Sequence, residues 1–206
     1  MRQETLSAPS EPLRIELPDA DVQFWPDAFS PNRAEALFAA LRRDVDWQQE
    51  HVTIFGASRL VPRLVAWYGD AGTSYSYSGT AHEPRPWNAE LSDVRQVVEA
   101  LTRRRYNSVL LNLYRDGQDG MGWHADDEPE LGSEPAIASV SFGATRRFKL
   151  RHRKRRGEVF ALDLESGSLL LMAGATQHHY VHAVPKTARA VGARINLTFR
   201  NVTISA

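Results

Sequence analysis

The stretch ARINLTFRN, Ala193 to Asn201, decides the architecture. Read with a period of two, it puts Arg194, Asn196, Thr198 and Arg200 on one face of a strand and Ile195, Leu197 and Phe199 on the other. The apolar face belongs in a core. The polar face carries two guanidinium groups, which are costly inside a β-sandwich unless they meet anions. A dicarboxylate would meet that demand, and NLY at 112–114 adds the amide of Asn112 and the phenol of Tyr114 on one face of a second strand.

Working outward from that strand, the runs NSVLLNLY, AIASVSFG, RRFKLR, EVFALDL and GSLLLMAG are short, apolar or alternating, and separated by turns rich in Gly, Asp and Pro. The half of the chain after Tyr106 therefore reads as β-rich. Before it, Ser30-Pro31 has the form of a helix start and Ala34, Leu37, Phe38 and Leu41 repeat at helical spacing. A second helix is predicted over about 88–104, with Leu91, Val94, Val98 and Leu101 on one stripe. Helices first and many strands after predict an α+β chain: a double-stranded β-helix, or jelly roll, buttressed by N-terminal helices. Residues 1–20 read as an extended or disordered lead-in, and 21–206 as a single domain with its jelly roll at about 106–202.

The 206 residues include no cysteine, which excludes disulfide scaffolds, thiolate zinc sites and cysteine nucleophiles. Any metal must use His, Asp or Glu. No run is apolar enough for a membrane span, so a soluble, cytoplasmic monomer without membrane contact is expected. The formal net charge is zero, yet Arg146, Arg147, Lys149, Arg151, Arg153, Lys154, Arg155 and Arg156 crowd into one short segment. Such a run is either a solvated hairpin or a phosphate grip.

The segment GWHADDE places His124 and Asp126 two apart, where strand alternation turns both the same way. Two imidazoles and a carboxylate cover one face of a metal octahedron and leave the rest open for chemistry, as in non-haem Fe(II) oxygenases. GATQHHYVHAVPK offers His178, His179 and His182 for the third position. If the segment is one strand, His178 and His182 share a face, and spacing alone leaves the choice open.

Together the stretches NSVLLNLYRDGQDGMGWHADDEPELG, IASVSFGATRRFKLR, GSLLLMAGATQHHYVHAVPK and ARINLTFR resemble the AlkB-type Fe(II)- and 2-oxoglutarate-dependent nucleic-acid dealkylases. VPRLVAWYGDAG and YSYSG extend the resemblance to roughly residues 50–202, with nucleotide-recognition hairpins at about 50–80. It implies His124, Asp126 and His182 as iron ligands, and Asn112, Tyr114, Arg194, Asn196 and Arg200 as the holders of 2-oxoglutarate. The implied reaction consumes O2 and 2-oxoglutarate and oxidises an N-methyl group of a base such as 1-methyladenine or 3-methylcytosine. The hydroxymethyl product then releases formaldehyde.

A methyl group on a Watson–Crick edge is reached only if the base is flipped out or already single-stranded. The resemblance implies Tyr77 as the stacking partner of that base, and Asp127 or Glu128 as contacts to its exocyclic group. A methylated base of this kind is cationic, which suits an acidic neighbour. TIFGASRLVPR resembles the hairpin of members that act on double-stranded DNA, with Phe55 as the wedge and Arg63 as the pocket arginine. Where such members carry a basic cluster, the chain between Pro185 and Arg194 has only Lys186 and Arg189. Alkylated DNA, single- or double-stranded, is therefore the expected partner, with RNA or a protein side chain as the alternative substrate. A metal-binding jelly roll without catalysis is the alternative from another class.

Overall fold

A computed structural model of the chain describes residues 11–54, 57–73, 75–77, 80–82, 84–155 and 157–203. In chain order its elements are β1 (Leu13–Ile15), β2 (Asp21–Trp25), α1 (Pro31–Asp44), β3 (His51–Ile54), β4 (Ala57–Leu60), β5 (Leu64–Gly69), β6 (Tyr75–Tyr77), β7 (Thr80–His82) and α2 (Ala89–Thr102). There follow β8 (Ser108–Tyr114), β9 (Met121–His124), β10 (Ile137–Gly143), β11 (Arg146–His152), β12 (Val159–Leu164), β13 (Leu169–Ala173), α3 (Thr176–His179), β14 (Tyr180–Val184) and β15 (Arg194–Arg200).

Seven strands form the larger sheet in the order β1-β2-β13-β10-β15-β8-β5, and four form the smaller one, β12-β11-β14-β9. The pairs are antiparallel throughout. Hairpins β3-β4 and β6-β7 stand apart from both sheets. This is the expected jelly roll with helices against it. The central strands of the larger sheet are buried on both faces, and the alternation along β15 shows how. Ile195, Leu197 and Phe199 join α1 and α2 in one core, where Leu37, Leu41, Leu91, Val94 and Val98 pack. Arg194, Asn196, Thr198 and Arg200 line a cavity on the opposite face. Along β13 both faces are apolar, with Leu169 and Leu171 toward the helices and Leu170 and Met172 toward the smaller sheet, so it reads as an unbroken apolar run.

The helix signals are realised with one difference in detail. Asn88 caps α2 by accepting from Leu91 N at 2.8 Å. Ser30 sits at the start of α1 with extended backbone, but its side chain makes no capping hydrogen bond, and Pro31 supplies the start instead. Part of the lead-in is extended and joins the larger sheet as edge strand β1. Gly143 is dictated by backbone geometry: it ends β10 at φ +86°, and a Cβ there would lie 2.5 Å from Ala193 O. The chain leaves the larger sheet at this turn and enters the smaller one.

Candidate active site

β9 and β14 run side by side with His124 directly opposite His182. Their ring centroids are 4.2 Å apart. Strand alternation does not place the third residue, because β9 ends at His124 and Asp126 lies beyond it. Two contacts hold it instead. Arg200 Nη2 donates to Asp126 Oδ1 at 2.6 Å, and the backbone N–H of Asp126 donates to Gln177 Oε1 at 3.0 Å. Oδ2 is left 3.9 Å from His182 Nε2. Ligand atoms of His124, Asp126 and His182 all lie within 4.8 Å of one another.

The protonation states suit a cation. Burial alone would raise the Asp126 carboxyl, but Arg200, then His182 and His124, outweigh it and hold the group at about 2. Burial, reinforced by His124, pushes the His182 imidazole down to about 3 and keeps it neutral. His124 Nδ1 is 2.9 Å from Gly122 O, a group that only accepts, so Nδ1 carries a proton and Nε2 is the nitrogen left for a metal. Neutral imidazoles and an ionised carboxylate are the forms that bind metals.

The cavity between the sheets brings these three together with Asn112, Tyr114, Arg194, Asn196 and Arg200. Arg194 is 1% exposed, and burial pulls its guanidinium down to about 10, still charged at neutral pH. Its Nη2 donates to Ser141 Oγ at 2.9 Å, while Nε and Nη1 are buried with no hydrogen-bond partner among the described residues. Two buried guanidinium nitrogens with unmatched N–H groups are a site for an anion. Tyr114 lies between two arginines, with Arg194 Cζ 5.3 Å and Arg146 Cζ 5.6 Å from its ring. Asn196 is tied within the protein, donating to Ser139 Oγ at 2.8 Å and to Val140 O at 3.0 Å.

The expected substrate residues are placed less completely. Arg63 is buried, and its Nε donates to Asn112 Oδ1 at 2.7 Å, which sets it against the cavity wall. Asp127 is exposed and pairs with Arg153 at 2.6 Å. Glu128 has a buried Oε2 with no partner among the described residues. Tyr77 ends β6, but its side chain lies outside the described residues, as does the whole of Phe55.

The segment 174–186 is not one strand. His178 belongs to the short helix α3 and contacts Ser133 O, while β14 carries His182 inward. A second group of candidate ligands, Asp19, His152 and His179, is equally tight. His152 Nδ1 accepts from the backbone N–H of Lys154 at 3.1 Å and of Arg155 at 3.0 Å. The ring proton is therefore on Nε2, facing Asp19 Oδ2 at 3.4 Å, and no lone pair is offered to a metal. Three roles escape the sequence pattern: Gln177 beneath Asp126, Arg200 beside it, and Arg146. Arg146 turns inward to Asp116 O, Asp119 O and Pro185 O at 3.1, 2.8 and 2.8 Å. None of these left a spacing signal, because their partners are backbone groups or residues remote in sequence.

The family model of the 2OG-Fe(II) oxygenase superfamily matches residues 21–200. The chain belongs to that superfamily. Within it the relatives are of the AlkB type. The chain is 40% identical over 187 residues to DNA oxidative demethylase ALKBH2 of Homo sapiens, covering 86% of this chain and 72% of that one. It is 43% identical over 178 residues to the alpha-ketoglutarate-dependent dioxygenase alkB homolog 3 of Bos taurus, covering 82% and 62%. The match to the Bos taurus ALKBH2 spans 66% of that relative, so about two thirds of these relatives' length is represented. Among solved structures, OsALKBH1 superposes with a TM-score of 0.65 over 92% of this chain and 100% of that one, at 16% identity, which is a likeness of fold. Iron(II), 2-oxoglutarate and O2 are the reagents of this superfamily. The oxygenase fits them, with an open two-histidine, one-carboxylate face and the unmatched donors of Arg194 in the same cavity.

Proposed function

We propose that this oxygenase removes N-alkyl groups from DNA bases by oxidation, with 1-methyladenine and 3-methylcytosine as typical substrates. The observation that carries the reading is the meeting, in one cavity, of the His124, Asp126 and His182 donors with a buried arginine that lacks an anion. The ALKBH2 relatives named as DNA oxidative demethylases support DNA as the polymer.

When bound, iron and 2-oxoglutarate supply the oxidising power, with one oxygen of O2 entering the methyl C–H bond and the other leaving in succinate as CO2 is lost. The chain supplies placement. His124, Asp126 and His182 would hold the metal. Arg194 would receive the distal carboxylate on Nε and Nη1, with Tyr114, Asn112 and Asn196 shaping its berth. Arg200 bonds the other carboxylate oxygen, Oδ1, and keeps Asp126 ionised. The N–CH2OH product breaks its C–N bond, giving formaldehyde and the restored base.

Base recognition falls to the other group of residues. Tyr77 would stack on the flipped base, Phe55 would fill the gap it leaves, and Asp127 or Glu128 would meet its positive charge. Arg63 would act through Asn112, its partner in the structure. Incubation of a methylated oligonucleotide with iron(II), 2-oxoglutarate and air should release succinate and formaldehyde together. Release of neither sinks the proposal, and faster turnover on methylated RNA than on matched single- and double-stranded DNA would move it to RNA.

A further inference from the structure

We propose that Gln177 is the positioning residue of the metal centre, holding Asp126 in place through that residue's backbone N–H. This rests on the metal-site reading above. Asp126 lies past the end of β9, so no sheet ladder defines its backbone, and at 2% exposure its N–H has no access to bulk water. Gln177 Oε1 accepts that N–H at 3.0 Å. Gln177 is 1% exposed, and its Nε2 is directed at Met172 Sδ, 3.7 Å away. The thioether can only accept and the Asp126 N–H can only donate, so a single orientation of the amide serves both.

Gln177 is itself fixed. Its neighbour Thr176 accepts from Asp21 N at 2.9 Å and donates to Ala173 O at 2.6 Å, which anchors α3 to β2 and β13. Arg153 Nη2 donates both to Gln177 O at 3.2 Å and to Asp127 Oδ2 at 2.6 Å. The Asp126-Asp127 step is thus clamped from beneath by an amide and from the surface by a guanidinium. Arg200 fixes one carboxylate oxygen and Gln177 fixes the backbone, and together they leave Oδ2 directed toward His182. Outer groups that orient metal ligands in this way carry roughly 10–100-fold in metal affinity.

Cobalt(II) binding, followed by its visible d–d absorption, tests this without turnover. Gln177→Met keeps the length and removes the acceptor. It should raise the Co(II) Kd by roughly 10–100-fold and shift the d–d bands. Gln177→Glu keeps an oxygen at the same reach and should stay close to the parent. The inference is overturned if Gln177→Met binds Co(II) as the parent does, or if both variants lose affinity equally. Metal-free melting temperatures identify a variant that fails to fold. Should Gln177→Met do so, Arg153→Gln removes the surface half of the clamp and leaves the Gln177 side chain in place. A several-fold rise in its Co(II) Kd supports the clamp, and parent-like binding refutes it. A parent protein that binds no Co(II) would instead refute the metal site itself.

Discussion

Arg194 and Arg200 share a face of β15, which by alternation makes them one pair with one purpose, yet the structure gives them different partners. Arg194 Nη2 bonds the neutral hydroxyl of Ser141, whereas Arg200 Nη2 bonds the carboxylate of Asp126. Alternation shows which way a side chain points but not what it meets, since the partner comes from a different sheet. The distinction has a measurable consequence. Removing one member of a buried ion pair leaves the other uncompensated, at a cost of about 3–5 kcal/mol. Arg200→Met should lower the urea-unfolding free energy of the metal-free protein by about that much, while Arg194→Met, which strands no carboxylate, should cost less or stabilise. Equal losses would contradict the pairing. The histidines are separated in the same way: His182→Ala should abolish Co(II) binding and His178→Ala should leave it unchanged, because only His182 faces His124.

At the scale of elements, the helices, the β-rich half and the alternation of β15 were legible because each rests on local periodicity. The break between α3 and β14 was not, since four residues of helix leave no periodic trace. It is that break which turns His178 away and aims Gln177 at Asp126. A further element-scale property lies at the junction of α2 and β8, where Tyr106 is 1% exposed and donates to Thr102 Oγ1 at 3.3 Å. Burial pushes its phenol up to about 12, against an unfolded value near 10. The folded state favours the neutral form, so this contribution is complete below pH 10 and is lost as pH rises toward 12. A shift of that size corresponds to about 2–3 kcal/mol. In urea titrations between pH 9 and 12 the parent should lose roughly that much more stability than Tyr106→Phe. Parallel curves would show that Tyr106 does not govern the alkaline limb. The same scale explains Gly143: Gly143→Ala should destabilise by about 1–3 kcal/mol or more, from left-handed backbone and the approach of Ala193 O.

For the molecule as a whole, the basic run shows how far a count of charges misleads about the proposed grip on nucleic acid. The run holds eight Lys and Arg residues, but the structure takes several out of play. Arg146 is buried against three carbonyl oxygens. Arg147 pairs with Asp163 at 2.7 Å, Arg153 with Asp127 at 2.6 Å and Arg155 with Asp19 at 3.3 Å. A phosphate reaching any of these three arginines would also face its carboxylate. Lys149, Arg151 and Lys154 have no acidic partner among the described residues, and Arg151 lies 4.4 Å over the half-exposed ring of Trp123 on the outer face of the smaller sheet. Three phosphate contacts on single-stranded DNA would give a slope of log K against log salt of about −2, whereas eight would give about −6. Replacing Lys149, Arg151 and Lys154 together by Ala should therefore flatten the measured slope by about 2 and weaken binding alike across sequences. Replacing Arg147 and Arg155 should change it little. If the second pair flattens the slope as much as the first three, the surface ion pairs open on binding and the whole run serves as the grip. If neither set changes it, the polymer crosses the protein elsewhere, and the face formed by β11 and β9 has no part in holding it.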